Sequence, residues 1–281
     1  MPELPEVETV RRGLADLIEG RSFKSIQLNR KDIRFPMRDG LGDVARGQTV
    51  THVGRRGKYM IIELDGAKRL LIHLGMSGRL ILGADVMADE LFYQKQQINP
   101  RHNHVIMTFN DAAVIYNDPR RFGMVDLLDP DGGHYLLAHL GPEPLANEFD
   151  GHWLAQRLRF SKTSIKEKLL DQNLVAGIGN IYASESLHLA GINPKRKAGN
   201  IALARLVNLA EAIRNTLQRA IEAGGSSLKD YRGVRGAPGY FQHQFNVYDR
   251  AGEMCRSCGK DNIRKIQQSG RASYYCAACQ R

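Results

Sequence analysis

The spacing of apolar positions divides the chain into a strand-rich part followed by a helix-rich part. Between residues 25 and 129, short aliphatic and β-branched runs are separated by glycine, asparagine and aspartate, which is typical of strands joined by turns. Seven runs have this character: residues 25–29, 48–54, 58–66, 69–76, 104–109, 112–118 and 123–129. Because few helical stretches lie between them, they predict an antiparallel β-sandwich or barrel.

Helical spacing occurs on both sides of this region. Near the N-terminus, Pro5 is followed by apolar residues at helical intervals up to Ile18, which predicts a helix with proline in its first turn. Further on, residues 164–172 and 181–191 predict two helices joined by a glycine-containing segment, and residues 201–223 predict the longest helix.

These periods predict an α+β protein of two domains. Residues 1–130 would form a β-sandwich with an N-terminal helix, and residues 131–150, rich in glycine, proline and aspartate, would be a linker. Residues 151–245 would form a helical domain, followed by a separate tail over residues 246–281. Residues 226–244 are too rich in glycine and polar residues for a packed element and predict a long loop.

The balance of charged residues indicates which class of partner the protein binds. The 281 residues include 40 Lys and Arg against 30 Asp and Glu, a net charge of +10, and the basic residues are spread along the chain. This favours a polyanionic partner. No apolar run approaches the ~20 residues of a membrane span, and the acidic N-terminus is unlike a signal peptide. A cytoplasmic, monomeric protein is therefore expected.

All four cysteines lie in the last 27 residues and form two C-x-x-C pairs separated by 17 residues. They are Cys255, Cys258, Cys276 and Cys279. Such pairs can close a tetrahedral Zn²⁺ site on a small β-hairpin. Because protein would supply every ligand, we expect one structural zinc ion and no catalytic metal. The alternative is a redox-active dithiol, which would not need two matched pairs.

Five segments resemble motifs of the bacterial formamidopyrimidine-DNA glycosylases, base-excision repair enzymes related to endonuclease VIII. These are MPELPEVETV at residues 1–10, HLGMSG at 73–78, NDPRRFG at 117–123, LLDQNLVAGIGNIYASESL at 169–187 and the four-cysteine tail. The similarity follows the family's order from end to end. It implies a catalytic N-terminal sandwich, a helix-two-turns-helix DNA-binding domain and a zinc-ribbon hairpin.

The resemblance gives a chemical role to the two N-terminal residues that a helix start leaves unexplained. If Met1 is removed, Pro2 carries a free secondary amine. An α-amino group titrates near pH ~8, so roughly a tenth is uncharged at pH 7 and can act as a nucleophile on C1′ of the damaged nucleotide. Glu3 resembles the family's general acid and base. Glu6 either supports Glu3 or is a simple helix-start carboxylate.

Two further residues resemble members of the family's catalytic set. Lys58 matches the lysine near the sugar and damaged base, which has a proton-transfer role in β-elimination. Arg271 matches the arginine of the zinc-finger tip that is associated with phosphate binding and δ-elimination. By residue type alone, both would be ordinary solvated side chains.

The remaining matches concern DNA. Met76, Arg120 and Phe122 match the three side chains that fill the gap left by an extruded nucleotide. Positions that hold phosphates around that nucleotide are matched by Asn180 and by Lys162 or Lys166.

Two histidines and one loop complete the resemblance. His73 and His102 resemble further DNA-backbone contacts, although a lone histidine in a β-domain is often a satisfied structural residue. The loop over residues 226–244 corresponds to a lid over the extruded base.

The resemblance implies a glycosylase and AP lyase, acting by β,δ-elimination on oxidised purines in duplex DNA that contains damaged bases or abasic sites. Leu4 favours the purine-specific branch, since the endonuclease VIII branch more often has glycine there. Two alternatives remain: an endonuclease VIII-like enzyme for oxidised pyrimidines, and a non-enzymatic zinc-ribbon DNA-binding protein.

Overall fold

The computed structural model describes residues 1–83, 99–226 and 239–281. It divides into two compact units. Unit 1 contains Met1–Ala138 and Gly224–Tyr240, and unit 2 contains His139–Ala223 and Phe241–Arg281. The domain limits drawn from the sequence stay a prediction.

Unit 1 begins with helix α1, Leu4–Ile18. Glu3 is its N-cap residue, and Pro5 lies in the first turn, where proline's missing N–H leaves no intrahelical bond unmade. The face formed by Val7, Val10, Leu14 and Ile18 is at most 2% exposed and joins the core of the unit. The helix predicted from the apolar stripe is thus present.

In the part of unit 1 that the structure describes, eight strands follow, together with a one-turn helix α2 at Leu41–Val44. The strands are β1 Phe23–Leu28, β2 Val50–Arg56, β3 Tyr59–Leu64, β4 Arg69–His73, β5 Arg79–Gly83, β6 Asn103–Phe109, β7 Ala113–Asn117 and β8 Met124–Leu127. They form two four-stranded antiparallel sheets, ordered β1-β6-β7-β5 and β2-β3-β4-β8. The predicted antiparallel sandwich is confirmed.

Strand β5 is absent from the seven runs predicted by sequence. Its five residues follow Gly78 and end with Gly83, so the apolar stretch is short, and among the described strands it pairs with β7 alone, at the edge of the sheet. The core includes Met60 and Ile62 from one sheet and Val105 and Val114 from the other, all of them fully buried.

Unit 2 contains four α-helices: α3 Gly151–Leu158, α4 Ile165–Leu170, α5 Asn180–Leu189 and α6 Leu203–Glu222. Side-chain caps explain where two of these helices begin. At the start of α3, Asp150 accepts from the Trp153 N–H, and at the start of α4, Ser164 forms a capping box with Glu167. Helix α6 ends before Gly224, whose φ of +73° favours glycine. Single-turn 3₁₀ helices lie at Ala198–Asn200 and Phe241–Gln244 in unit 2, and at Pro100–His102 in unit 1.

The C-terminal tail is a two-stranded hairpin of β9, Arg264–Gln268, and β10, Arg271–Tyr275. A buried carboxylate attaches the segment before it to α5. Glu185 is 2% exposed and accepts hydrogen bonds from the backbone N–H groups of residues 246–248 at 2.8–2.9 Å. None of the described helices is long and apolar enough to cross a membrane.

Candidate functional site

A cavity of about 570 Å³ lies within unit 1, at the ends of strands β4 and β7. Four predicted site residues line it: His73, Met76, Arg120 and Phe122. Met1 lines it as well, so the residue preceding Pro2 lies at the same cavity. The remaining lining residues are Asp32, Ile33, Arg34, Gly75 and Arg121.

The three predicted gap-filling residues lie on two turns, Met76 between β4 and β5 and the other two between β7 and β8. Arg120 and Phe122 are exposed, and the Arg120 guanidinium lies 5.0 Å from the Phe122 ring centroid. The turns approach so closely that a Cβ added at Gly75 would overlap the backbone of Phe122 and Gly123. Gly75 also has φ +60°, so both space and backbone conformation require glycine here.

A buried carboxylate joins these two turns. Asp118 is 0% exposed, and its Oδ1 accepts from the Ser77 hydroxyl at 2.5 Å and from the Arg120 N–H at 3.3 Å. Its Oδ2 accepts from the Gly123 N–H at 2.9 Å and lies 3.5 Å from the Tyr116 hydroxyl oxygen. Asp118 thereby fixes the turns that carry Met76, Arg120 and Phe122.

The backbone groups of Asp118 also form hydrogen bonds, which fix the position of this residue. Its N–H donates to the carbonyl of His102 at 3.0 Å, and its carbonyl accepts from His104 Nε2 at 2.8 Å. The predicted contact residue His102 therefore lies beside the Asp118 segment, but it does not line the cavity. Burial, followed by the charge of Asp118, raises the pKa of Tyr116 well above its usual value, so Tyr116 stays a phenol and donates to the His73 carbonyl at 3.0 Å.

The imidazole of His73 is neutral at physiological pH. Burial, reinforced by the charges of Lys58 and Arg34, lowers the pKa of His73 to about 4. Its Nδ1 accepts a hydrogen bond from the Gly75 N–H at 3.1 Å, which leaves the proton on Nε2. His73 can therefore offer one neutral N–H donor at the cavity.

The N-terminal carboxylates are buried. Glu3 and Glu6 are 3% and 2% exposed, and Glu6 Oε2 accepts from the Glu3 N–H at 2.9 Å. Glu6 Oε1 accepts from the N–H and the hydroxyl of Ser226 at 2.7 and 3.0 Å. Glu6 thus joins the start of α1 to Ser226, which also pairs with Tyr240.

The contact between Glu6 and Ser226 lies at one end of the loop over residues 226–244, which the sequence predicts as a lid. Residues 227–238 of this loop lie outside the described residues. Its described part consists of Ser226 and residues 239–244.

Lys58 is 7% exposed and follows Gly57 in the tight turn between β2 and β3. Arg55 holds this turn, because its guanidinium donates to the Gly57 carbonyl at 2.8 Å and to Glu8 on α1 at 3.1 Å. Burial alone would raise the pKa of Glu8, but hydrogen bonds from Arg11, Arg12 and Arg55 outweigh it and lower that pKa.

The β3–β4 register adds a second constraint on Lys58. It places Tyr59 opposite His73, so Lys58 lies close to the cavity end of β4. The turn is therefore fixed by α1 on one side and by β4 on the other.

In unit 2, the predicted phosphate-binding residues gather around the hairpin. Asn180 Nδ2 and the buried Lys166 ammonium both donate to the Ala272 carbonyl, at 2.9 and 2.7 Å, and Lys166 also donates to Ser273 Oγ at 2.7 Å. Arg271 and Lys162 are exposed. The sequence named Lys162 or Lys166 as a phosphate-binding residue. The structure shows that Lys166 is hydrogen-bonded to β10, whereas Lys162 is exposed to solvent.

The hairpin tip is also attached to the start of α4. Ser269 donates to Glu167, and Gln268 Nε2 donates to Ser164 Oγ at 3.0 Å. A hydrogen bond from Ser164, followed by one from Ser269, lowers the pKa of Glu167. The backbone that presents Arg271 is therefore anchored on both sides of the turn.

The four cysteines form a cluster with the dimensions of a metal site. All are free thiols, and their sulfur atoms lie within 4.8 Å of one another. The Cys255–Cys279 and Cys258–Cys276 sulfur pairs are 3.8 and 3.7 Å apart. This is far longer than a disulfide of ~2.05 Å, and it matches the ~3.8 Å edge of a tetrahedron with metal–sulfur bonds of ~2.3 Å.

Residue type and spacing did not reveal several members of the site. Arg34 and Arg121 resemble other solvated arginines in the sequence, yet both line the cavity. Asp118 and Ser77 contribute buried hydrogen bonds across 41 residues of sequence. For Ser77, Asp118 and Arg121, the available signal was their position inside the segments 73–78 and 117–123, whereas Arg34 lies outside both segments.

Together, these features define a class of protein. The chain combines a β-sandwich, whose N-terminus meets a cavity lined by an arginine and a phenylalanine, with a helical unit and a four-cysteine hairpin. This is the arrangement that the resemblance to the helix-two-turns-helix DNA glycosylases implied.

Comparison with known proteins identifies the family. Residues 1–125 match the formamidopyrimidine-DNA glycosylase N-terminal domain, and residues 140–232 match the formamidopyrimidine-DNA glycosylase H2TH domain. The chain is 50% identical over 285 residues to a formamidopyrimidine-DNA glycosylase of Ruegeria pomeroyi and 48% identical over 286 residues to one of Jannaschia sp., with 100% of each chain covered. The chain belongs to the formamidopyrimidine-DNA glycosylase family, and the resemblance found in the sequence is confirmed.

Solved structures agree with this assignment. A Lactococcus lactis FPG mutant in complex with Fapy-dG-containing DNA is 36% identical to the chain, with a TM-score of 0.88 and 100% of both chains covered. A Lactococcus lactis Fpg in complex with DNA containing an abasic site is 37% identical, with a TM-score of 0.85 and 99% of both chains covered.

The network around Asp118 predicts a stability effect. Asp118→Asn keeps the shape of the side chain but replaces one acceptor oxygen by an NH₂ group that faces N–H and O–H donors. We expect the free energy of unfolding to fall by about 2 kcal/mol in urea denaturation. Asp111→Asn is the matched control, because Asp111 is an exposed partner of Arg21, and should change it by less than about 0.5 kcal/mol. If both variants change the free energy of unfolding by the same amount, Asp118 is not the residue that holds the two turns together.

The lowered pKa of His73 predicts a pH dependence. Between pH 6.5 and about 4, the unfolded chain binds a proton at this residue that the folded chain does not, so stability is lost as pH falls through this window. Histidine ring NMR signals assigned to His73 should show no titration from pH 8 to pH ~5, and His73→Gln should reduce the loss of stability. A titration of His73 centred near its ordinary value would contradict this.

Proposed function

We propose that the protein is a base-excision repair DNA glycosylase with AP lyase activity, which removes oxidised purines such as 8-oxoguanine and formamidopyrimidines from duplex DNA. The observation that carries the proposal is the cavity shared by Met1, Met76, Arg120 and Phe122. It brings the end of the chain to the side chains that would fill a gap in a base stack. DNA containing lesions or abasic sites is the proposed substrate.

The chemistry begins with the amine of Pro2. Removal of Met1, which is 54% exposed, would free a secondary amine at the cavity. Its nitrogen attacks C1′ of the extruded nucleotide, the glycosidic bond breaks, and the damaged base leaves with a proton. The C1′–O4′ bond of the sugar then opens, with a proton delivered to O4′, which gives a cationic iminium that acidifies the C2′ protons. Loss of a C2′ proton expels the 3′ phosphate, and a second elimination expels the 5′ phosphate.

Glu3 is the proposed proton carrier for these steps. Its position directly before α1, with its own N–H bonded to Glu6, keeps the carboxylate adjacent to Pro2. As an acid it would protonate the leaving base or the opened sugar oxygen, and as a base it would take a proton back. Lys58 is proposed to assist β-elimination, which is supported by the rigid turn that Arg55 and Glu8 maintain.

The extruded nucleotide requires replacement contacts, since unstacking and unpairing cost a few kcal/mol. Met76 is proposed as the apolar wedge, Arg120 as the donor to the orphaned base and Phe122 as the stacking ring. The anchoring by Asp118 supports this proposal, because a loose wedge would lose its advantage to conformational entropy. His73 would donate a neutral hydrogen bond to a phosphate, and His102 a contact further along the backbone.

Unit 2 is proposed to hold the DNA backbone through Asn180, Lys162 and Arg271, with Arg271 acting at the phosphate during δ-elimination. The anchoring of the hairpin by Lys166 and Ser269 supports the role of Arg271.

The metal of the four-cysteine cluster is proposed to be one structural Zn²⁺ ion. Four thiolates and a tetrahedral spacing are the donor set and geometry that zinc prefers, and no ligand position remains for water. Cys255, Cys258, Cys276 and Cys279 would hold it. When bound, the ion stabilises the fold of the finger and takes no part in the reaction.

Borohydride reduction tests the nucleophile. Incubating the protein with duplex DNA containing 8-oxoguanine and borohydride should give a covalent adduct, and peptide mapping should locate it at Pro2. Pro2→Gly replaces the constrained secondary amine and should lower adduct formation roughly a hundredfold. Pro5→Ala, in the same helix start but without the amine, should retain it. An adduct that maps to a lysine, or no adduct under conditions of DNA binding, would contradict the proposal.

Measurement of the metal content tests whether the four-cysteine cluster binds one zinc ion. Purified protein should contain one zinc ion per chain, and Cys276→Ser should lose it together with most DNA affinity, since Arg271 lies on the same hairpin. Ala277→Ser, a substitution inside the same knuckle that leaves all four thiols, should retain both. A folded, DNA-binding protein without stoichiometric metal would overturn the zinc assignment.

A further inference from the structure

The tip of the β9–β10 hairpin contains a serine in a backbone conformation that serine does not favour. Gln268 lies opposite Arg271, so the loop between them consists of Ser269 and Gly270 alone. Their φ angles are +44° and +75°, and positive φ at both positions is what a type I′ turn requires. Glycine adopts this conformation freely, whereas a residue with a Cβ adopts it at an energetic cost. Turn preference therefore does not account for Ser269.

A carboxylate at the start of α4 does account for it. The Ser269 hydroxyl donates to Glu167 Oε1 across 102 residues of sequence. The other oxygen of Glu167, Oε2, accepts from the hydroxyl and from the N–H of Ser164. Hydrogen bonds from Ser164, followed by that from Ser269, lower the pKa of Glu167, so it remains an acceptor at physiological pH. One carboxylate thus joins the cap of α4 to the hairpin tip.

The negative charge of Glu167 lies among basic residues. Lys166 and Lys168 flank it, and neither residues 151–166 nor residues 262–275 contain an Asp or Glu. A carboxylate bonded to the tip reduces the attraction between phosphate and Arg271, which lies two residues after Ser269. The hydrogen bond to Ser269 gives this carboxylate a function that compensates for the repulsion.

Other contacts of the hairpin hold its strands and not its loop. Gln268 Nε2 donates to Ser164 Oγ at 3.0 Å, and Lys166 donates to the Ala272 carbonyl at 2.7 Å. These bonds fix the two strands just outside the turn. The bond from Ser269 to Glu167 lies within the two-residue loop itself. Because Arg271 follows this loop directly, the orientation of the loop determines where its guanidinium lies.

We propose that Glu167 is a positioning residue for the second elimination. Through Ser269, it holds the tip in the orientation in which Arg271 meets the departing 5′ phosphate. In this step the C4′ proton is lost to a base, its electron pair moves through the conjugated iminium, and the C5′–O bond breaks. The phosphate leaves as an anion, and a cation stabilises the developing charge only if it is already in place.

This role of Glu167 rests on the proposed function, since it assumes that Arg271 acts in δ-elimination. It adds a residue that touches neither DNA nor the reacting atoms and yet determines how far the reaction proceeds. A loss of alignment should slow the second elimination and leave the first one to accumulate its product.

Product analysis measures the second elimination separately. On a 5′-labelled duplex with one abasic site, the first elimination leaves a sugar remnant on the labelled fragment, and the second leaves a 3′ phosphate. A denaturing gel resolves the two products over time, which gives the ratio of the rate constants for the second and first steps. This ratio does not depend on the fraction of active protein, so a merely structural defect would not change it.

Ser269→Gly removes the hydroxyl and relaxes the turn, so folding and metal content should match the wild type. The ratio should nevertheless fall roughly three- to tenfold, the effect of losing one hydrogen bond to a charged group. Glu167→Gln can still form the capping box of α4 and should lower the ratio in the same direction. Glu211→Gln is the matched control, because Glu211 is an exposed glutamate of α6, and should not change the ratio.

A double variant tests whether the two residues act as a unit. Glu167→Gln combined with Ser269→Gly should lower the ratio no further than Ser269→Gly alone. An unchanged ratio in either single variant, additive effects in the double variant, or an equal fall in Glu211→Gln would each overturn the assignment of Glu167. Failure of the proposed function would look different, because the wild type would then bind the abasic duplex without forming the borohydride adduct or the first product.

Discussion

The buried carboxylate of Asp118 holds together the two turns, between β4 and β5 and between β7 and β8, that carry the side chains lining the cavity. Side chains that lie partly or largely in solvent, such as Met76 and Phe122, pack too little to fix their own positions. Asp118 supplies the missing order, since its oxygens accept from Ser77, Arg120 and Gly123 across two turns that are far apart in sequence. A charged acceptor gives shorter and stronger hydrogen bonds than a neutral one. The geometry of the cavity follows from this one interaction and from the glycines that allow the turns to meet.

The sequence predicted most of the secondary structure because periodicity reports burial. Short apolar runs identified seven of the eight sandwich strands that the structure describes, and apolar stripes identified α1 and α6. Strand β5 was missed because its five residues sit at a sheet edge between glycines. Helix α3 was not delimited, since its eight residues give few turns in which a stripe can repeat.

The site was predicted through motifs and not through physics alone. The resemblance singled out Met76, Arg120 and Phe122, which the fold does bring to one cavity. The pairing of Asp118 with Ser77 and the commitment of Lys166 to β10 could not be predicted, because each depends on contacts between residues 41 or more positions apart.

The burial of acidic groups also explains how a protein with 30 carboxylate side chains can present a cationic surface. Glu3, Glu6, Asp118 and Glu185 are all at most 3% exposed. Asp118 accepts hydrogen bonds from a hydroxyl and from the backbone N–H groups of Arg120 and Gly123, and Glu185 accepts from three backbone N–H groups and the Asn246 amide. A carboxylate neutralised by surface cations would have reduced the charge available to a polyanion. A carboxylate satisfied by backbone donors instead anchors a turn or a helix end without taking an arginine or lysine as its partner. The buried carboxylates therefore order the turns and helix ends, while the excess of basic side chains, a net charge of +10, favours a polyanionic partner.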